Sequence, residues 1–184
     1  MTKMNNIINE SIASVDPTIV KKPNMLTNEV VRLLNQRIGD EYTAHYFYRN
    51  AANWCHNMEY KKAAAFFDIE ADDELTHAKG LQKYMTDWDV KPTIPAARTD
   101  VNFNNLAEII VQAYDMEFGL LKSYSENAKS IFGLGDMATF VFLQEYVTQN
   151  TKSTAEYAGF LNALQLINPE NNFELLYFEN QYFG

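Results

Sequence analysis

Apolar side chains recur along this chain at intervals of three and four residues with polar ones between them, the pattern of long amphipathic helices. The first run, Val30, Leu34, Ile38, Glu41, Ala44, Tyr48, Ala51 and Cys55, predicts a helix from about Thr27, whose hydroxyl suits an N-cap, to Cys55. After a break around His56 to Met58, Ala63, Phe67, Glu70, Glu74, His77, Leu81 and Tyr84 mark a second helix. A connection this short makes the two helices antiparallel neighbours. A third, from about Phe103 to Ile131, carries Leu106, Ile110, Ala113, Glu117, Leu120, Tyr124, Ala128 and Ile131 on its inward stripe. The glycine-containing run Phe132 to Asp136 then reads as a stop and a fresh start. The fourth helix turns Phe140, Leu143, Val147, Asn150, Thr154, Tyr157 and Leu161 inward and ends before Asn168-Pro169, and a short fifth is expected over Phe173 to Asn180.

Between the second and third runs, Asp87 to Asn102 contains Pro92 and Pro95 and has no helical period. A helix of about 28 residues is roughly 42 Å long, and about 15 extended residues cover roughly 50 Å. The segment can therefore cross the whole bundle and set the third helix parallel to the second. The expected fold is all-α: a four-helix bundle of two hairpins joined by one long crossover between helices 2 and 3, with a short C-terminal fifth helix. Residues 1–24, polar and Asn-rich with Pro17 and Pro23, read as an N-terminal arm, leaving 25–184 as the bundle domain.

Composition narrows this picture. In 184 residues, 47% hydrophobic and 14% aromatic content suffices for one substantial core, and seven Gly with five Pro are too few for a turn-rich β fold. The single Cys55 excludes an intramolecular disulfide, a zinc ribbon and a rubredoxin-type iron site, and suits a reducing cytoplasm. Ile12 to Val20 is interrupted by Asp16 and Pro17, and no window approaches a membrane span, so the chain is read as soluble, unsecreted and not a membrane protein. A formal charge of −9 repels phosphate backbones, which argues against a nucleic-acid partner.

The chemistry sits where polar residues interrupt apolar stripes. Glu74 and His77, three apart, project from one helical face and can hold one ion through an oxygen and an imidazole nitrogen. Alone, such a pair usually lies on a solvated face; here it continues the stripe of Phe67 and Leu81. Glu41, Glu117 and Asn150 interrupt the other three stripes in the same way. A buried salt-bridge network is the bland alternative, but these stripes bring three glutamates and no lysine or arginine to the centre, and buried anions need a counter-charge. Oxygen and imidazole donors suit iron, manganese or zinc, and a carboxylate-rich set with one histidine matches a non-haem di-iron site best.

The runs Leu34-Asn35-Gln36-Arg37-Ile38-Gly39-Asp40-Glu41-Tyr42, Trp54-Cys55, Ala63-Ala64-Ala65-Phe66, Asp73-Glu74-Leu75-Thr76-His77 and Phe142-Leu143-Gln144-Glu145-Tyr146-Val147 resemble the non-haem bacterial ferritins, as does Leu176-Tyr177-Phe178 in the tail. The resemblance extends over nearly the whole bundle but not residues 1 to about 24. It implies that Glu41 and His77 hold a first iron, Glu74 bridges, and Glu117 holds a second. Asn150 falls where the family has glutamine, a shorter amide that stands behind the ligands or binds weakly. Tyr48, seven residues after Glu41, matches the family's tyrosine beside the centre; filling the core and taking part in redox chemistry are both open readings of it.

A third iron position is not expected, because Gln149 to Thr154 supplies no carboxylate where that site would need one. Leu75, where bacterioferritins place a haem-ligating methionine, and the lack of a second Glu-x-x-His argue against haem. One cysteine excludes a rubrerythrin, and Glu117 is not a ligand of the small DNA-protecting relatives. His45 reads as a surface or subunit-contact residue, and Glu70 and Glu145 as transfer residues or simply solvated ones. The implied activity is oxidation of two bound Fe(II) ions by O2 or H2O2, with ferric mineral stored inside a homo-oligomeric cage of twenty-four subunits. A structural cage subunit with weak oxidase activity and a stand-alone di-iron oxidase are the competing readings.

Overall fold

A computed structural model describes residues 26–94, 96 and 101–183. The described residues contain five helices and no strand: α1 (Asn28–Asn57), α2 (Lys61–Asp87), α3 (Leu106–Gly133), α4 (Met137–Leu164) and α5 (Asn172–Tyr182). The predicted N-terminal arm lies outside the described residues.

Side-chain oxygens start four of the helices by accepting first-turn N–H groups that have no partner within the helix. Thr27 accepts from Val30 N, Asn105 from Glu108 N, Asp136 from Thr139 N, and Asn171 from Phe173 N and Glu174 N. The α1–α2 turn uses Glu59 at φ 65 and the α3–α4 turn uses Gly135 at φ 77. Only the glycine announces its turn in the sequence, which is why α1 runs two residues past the predicted end at Cys55. The predicted start of the third helix is also corrected. Phe103 lies outside α3, buried against Phe47 and Trp54 at ring-centroid distances of 5.6 and 6.4 Å, and Asn105 caps the helix instead. An apolar residue just ahead of a helical stripe looks helical in sequence, whereas here it pins the crossover to α1.

Pairings across the bundle give the helix directions. Arg49 bonds Asp68 and Asp72 while Tyr42 meets Gln82, so α1 and α2 are antiparallel. Tyr48 bonds Glu117 and Tyr124 bonds Glu41, so α3 is antiparallel to α1 and therefore parallel to α2. Tyr84 with Thr139 and Tyr157 with Glu70 set α4 antiparallel to α2. The crossover thus spans the bundle: Thr93 N bonds Asn35 near the start of α1, and Phe103 reaches Trp54 near its end.

The stripes predicted for α1 and α3 are buried throughout. On α4 the buried set is Thr139, Leu143, Tyr146, Asn150, Tyr157, Phe160, Ala163 and Leu164, while Phe140, Val147, Thr154 and Leu161 are half-buried. Thr139 and Tyr146 can turn inward because their hydroxyls find partners there, Asp136 and Tyr84 for the first and the His77 carbonyl for the second. The short α5 closes one end. Its buried Glu179 Oε1 accepts the N–H groups of Lys62 at 2.7 Å and Ala63 at 3.2 Å, capping α2, whose own N-cap residue Tyr60 offers no side-chain bond. Phe183, just beyond α5, packs on Phe66 and Phe160 with ring centroids 5.0 Å away in each case.

Candidate metal centre

Glu41, Glu74, Glu117 and Asn150 come from four different helices, and all four are buried, at 0, 5, 1 and 4% exposure. Within this interior the structure brings three of the predicted residues together. One ligand atom each from Glu41, Glu74 and His77 lies within 4.8 Å of the others. His77 Nδ1 is 3.1 Å from Glu74 Oε2 and 3.7 Å from Glu41 Oε2. Helical spacing explains the first contact, since residues three apart share a face, and the antiparallel α1–α2 register explains the second.

Glu117 is not in that group of three. Its Oε1 accepts a hydrogen bond from Tyr48 at 2.5 Å. Asn150 donates its Nδ2 to the Tyr146 carbonyl at 2.9 Å, and its buried Oδ1 has no hydrogen-bond partner in the protein. Tyr48 is fully buried, its ring stacked 6.1 Å from both Phe67 and Tyr157, so the position fills the core and also ties a carboxylate.

The charges are poorly solvated. Burial, then the neighbouring Glu41 carboxylate, holds the Glu74 carboxyl well above the usual carboxylate range. Burial pushes Glu117 up to about 7 against the opposing hydrogen bond from Tyr48. Burial also works to raise Glu41, but Glu74, His77 and the Tyr124 hydroxyl outweigh it and hold this carboxyl low. For His77, burial favours the neutral ring, yet Glu41 and Glu74 overcome it and raise the imidazole to about 10. Two buried carboxylates beside a half-buried imidazole need positive charge, and they obtain it either from retained protons or from a metal cation.

The structure also places groups that the stripe pattern did not single out. Tyr124, expected as part of the α3 stripe, donates its hydroxyl to Glu41 Oε1. Tyr146 stacks on Tyr124 at 5.1 Å and donates to the His77 carbonyl at 3.1 Å. Gly80 makes room for it, since a Cβ there would come within 2.5 Å of the Tyr146 oxygen. Off the stripes read from the sequence, one basic residue is also buried: Arg37 is only 8% exposed. It lies one turn before Glu41, with its guanidinium 5.6 Å from the Tyr124 ring centroid and its ion pair made to Asp40 at 2.6 Å. One basic side chain, Lys152, lines the cavity into which Glu74 and His77 face.

A cavity of about 460 Å³ between α2 and α4 is lined by Glu70, Asp73, Glu74, His77, Glu145 and Tyr146, among others. His77 keeps 21% of its side chain exposed. Glu70 does not simply face water: it is half-buried, accepts a 3.3 Å hydrogen bond from Tyr157, and is pushed up to about 7 by burial and the Glu117 and Glu156 charges. His45, also half-buried, bonds the Ala71 carbonyl at 2.6 Å.

Residues 31–167 match the model of the ferritin-like domain. The chain belongs to the ferritin family. It is similar to the bacterial non-heme ferritin of Campylobacter jejuni, 31% identical over 86% of this chain and 94% of that relative. It is also similar to the Escherichia coli bacterial non-heme ferritin, 28% identical over 77% and 87% of the respective chains. Among solved structures, Chlorobium tepidum ferritin matches with a TM-score of 0.76 at 23% identity, covering 85% of this chain and 96% of that one. An open pore ferritin from Archaeoglobus fulgidus matches with a TM-score of 0.75 at 20% identity, covering 86% and 96%. The crossover and the buried carboxylates thus belong to a ferritin bundle, and family and fold together support iron storage.

Proposed function

We propose that this ferritin chain oxidises Fe(II) at a di-iron centre built from Glu41, Glu74, His77 and Glu117, and stores the ferric product in a cage of like subunits. The observation that carries the reading is the convergence of Glu41, Glu74 and His77 within 4.8 Å, two of them buried carboxylates. Hard anionic oxygens favour Fe(III) over Fe(II), so such a site makes electron loss easier than water does. Glu41 and His77 suit the first iron and Glu117 the second, with Glu74 between them. Each Fe(II) gives one electron; dioxygen takes two electrons with two protons and leaves as hydrogen peroxide, or hydrogen peroxide takes two electrons with two protons and leaves as two waters. The cavity beside His77 suits entry of iron and oxidant. The Asn150 amide nitrogen is held by the Tyr146 carbonyl, which leaves its buried Oδ1 as the atom that would act on the centre, as a weak ligand or from behind the ligands.

Exposed apolar side chains support assembly. Ile69, Val141, Phe173 and Leu166 are 61, 63, 76 and 83% exposed on one chain, surface that subunit contacts would cover. No described helix is long and apolar enough to cross a membrane; the proposed location is the cytoplasm.

Anaerobic Fe(II) titration followed by air tests the reading. Two irons per chain should bind and oxidise in a fast phase, and the double variant Glu74→Ala, His77→Ala should lose at least 100-fold of that rate. A large assembly with no fast phase in the wild type would leave a structural cage subunit as the better account.

A further inference from the structure

Glu41 and Tyr48 are seven residues apart on α1, and Glu117 and Tyr124 are seven apart on α3. Seven residues are close to two helical turns, so each glutamate and its tyrosine share a face. Because α1 and α3 run antiparallel, the two pairs exchange partners: Tyr48 donates to Glu117 and Tyr124 donates to Glu41. Both tyrosines are fully buried, as is Glu41, and Glu117 is 1% exposed. Each of these carboxylates therefore has its own phenol, supplied from the facing helix.

We infer that Tyr124 is a positioning residue of the centre, fixing Glu41 so that one carboxylate oxygen is held by the phenol and the other is presented to a metal ion beside His77. This rests on the metal-centre reading above. The division of labour is visible in the two oxygens. Glu41 Oε1 takes the Tyr124 hydroxyl, while Oε2, buried and without a hydrogen bond in the protein, faces His77 Nδ1 at 3.7 Å. A carboxylate free to rotate about its last bond could offer either oxygen; a phenol bonded to one removes that choice. Ligating carboxylates are characteristically held in this way, and loss of such a partner costs about 10- to 100-fold in metal affinity. Tyr124 is itself braced, with Arg37 over one part of its ring and Tyr146 stacked at 5.1 Å, so its hydroxyl is aimed by packing.

The test uses Co(II) under anaerobic conditions on the full assembled protein, following stoichiometry, affinity and the visible ligand-field bands. The wild type should bind two Co(II) per chain. Tyr124→Phe keeps the ring and loses the hydroxyl; it should weaken one of the two sites about 10- to 100-fold and change the bands of that site. Adding Tyr124→Phe to Glu41→Gln should cost no further affinity, because the tyrosine acts only through that carboxylate. Tyr48→Phe, the same change at the same depth, should weaken the other site. Two Co(II) bound by Tyr124→Phe within twofold of wild type, with unchanged bands, would overturn the inference and leave the metal centre standing. No Co(II) bound by the wild type would overturn both. If Tyr124→Phe fails to fold, 3-fluorotyrosine placed at position 124, which keeps the ring and the hydroxyl but alters its donor strength, decides: the Co(II) bands of one site should shift, and bands identical to wild type would overturn the inference.

Discussion

A carboxylate's worth in this interior depends on what stands within a few ångströms of it, and the glutamates differ accordingly. Glu70 is raised to about 7 by burial and by the Glu117 and Glu156 charges, from an ordinary value of 4.5. A folded-state pKa above the unfolded one means the native chain holds the proton more tightly. Stability from Glu70 is therefore fully present below 4.5 and is lost as pH rises through 7. Glu70→Gln in chelator-treated protein should accordingly gain about 1–3 kcal/mol at pH 8 and less than about 1 kcal/mol at pH 5, read as a melting-temperature difference between the two pH values. An equal shift at both would show that Glu70 is solvated. The burial of Glu41, Glu74 and Glu117, and the place of His77 beside Glu74, were legible in sequence because a charged residue on an apolar stripe is conspicuous. That Glu117 lies outside the group of three and takes a hydrogen bond from Tyr48 on another helix was not. The partnership of Tyr124 with Glu41 was equally hidden, because a tyrosine on a buried stripe looks like any other core aromatic.

At the level of elements, the periodic runs located the four long helices of the described residues, and the ends moved where local chemistry was silent. Glu59 makes its turn with a left-handed backbone that no glycine or asparagine announces. The start of α2 is the clearest case of an element completed from elsewhere, since its first N–H groups are accepted by Glu179 of α5, more than a hundred residues away. A carboxylate there satisfies unpaired donors and meets the positive end of the helix dipole. Glu179→Ala should lower stability by about 2–3 kcal/mol, with Glu179→Gln intermediate because it keeps an acceptor without the charge. Thermal unfolding followed by circular dichroism checks both; equal stability for all three proteins would show that water caps α2 as well as Glu179 does. A smaller loss of about 1 kcal/mol is expected for Asp136→Ala, which removes the cap of α4 but leaves the Gly135 turn in place.

For the whole molecule, the crossover decides the architecture. By returning across the bundle it sets α3 parallel to α2, so α3 faces α1 in the opposite sense and brings Glu117 and Tyr124 to the level of Glu41 and Tyr48. A hairpin at the same point would have put other residues there. Under the proposed assembly, the exposed Ile69, Val141, Leu166 and Phe173 are candidates for subunit contacts. Light scattering should give about 510 kDa for twenty-four copies of a 21.2 kDa chain, and Val141→Asp with Leu166→Asp should shift the population toward small species if those side chains lie between subunits. An unchanged mass in that variant would place the contacts elsewhere. Helix positions, the buried faces of α1 and α3, the length of the crossover and the presence of carboxylates in the core were determined by the sequence itself, because helical period and chain length are local properties. Which carboxylates meet, which tyrosine holds each of them, and how α5 caps α2 were decided only by the tertiary structure. Those contacts join residues tens of positions apart, and their geometry follows from helix register and packing that no single stretch of the chain encodes.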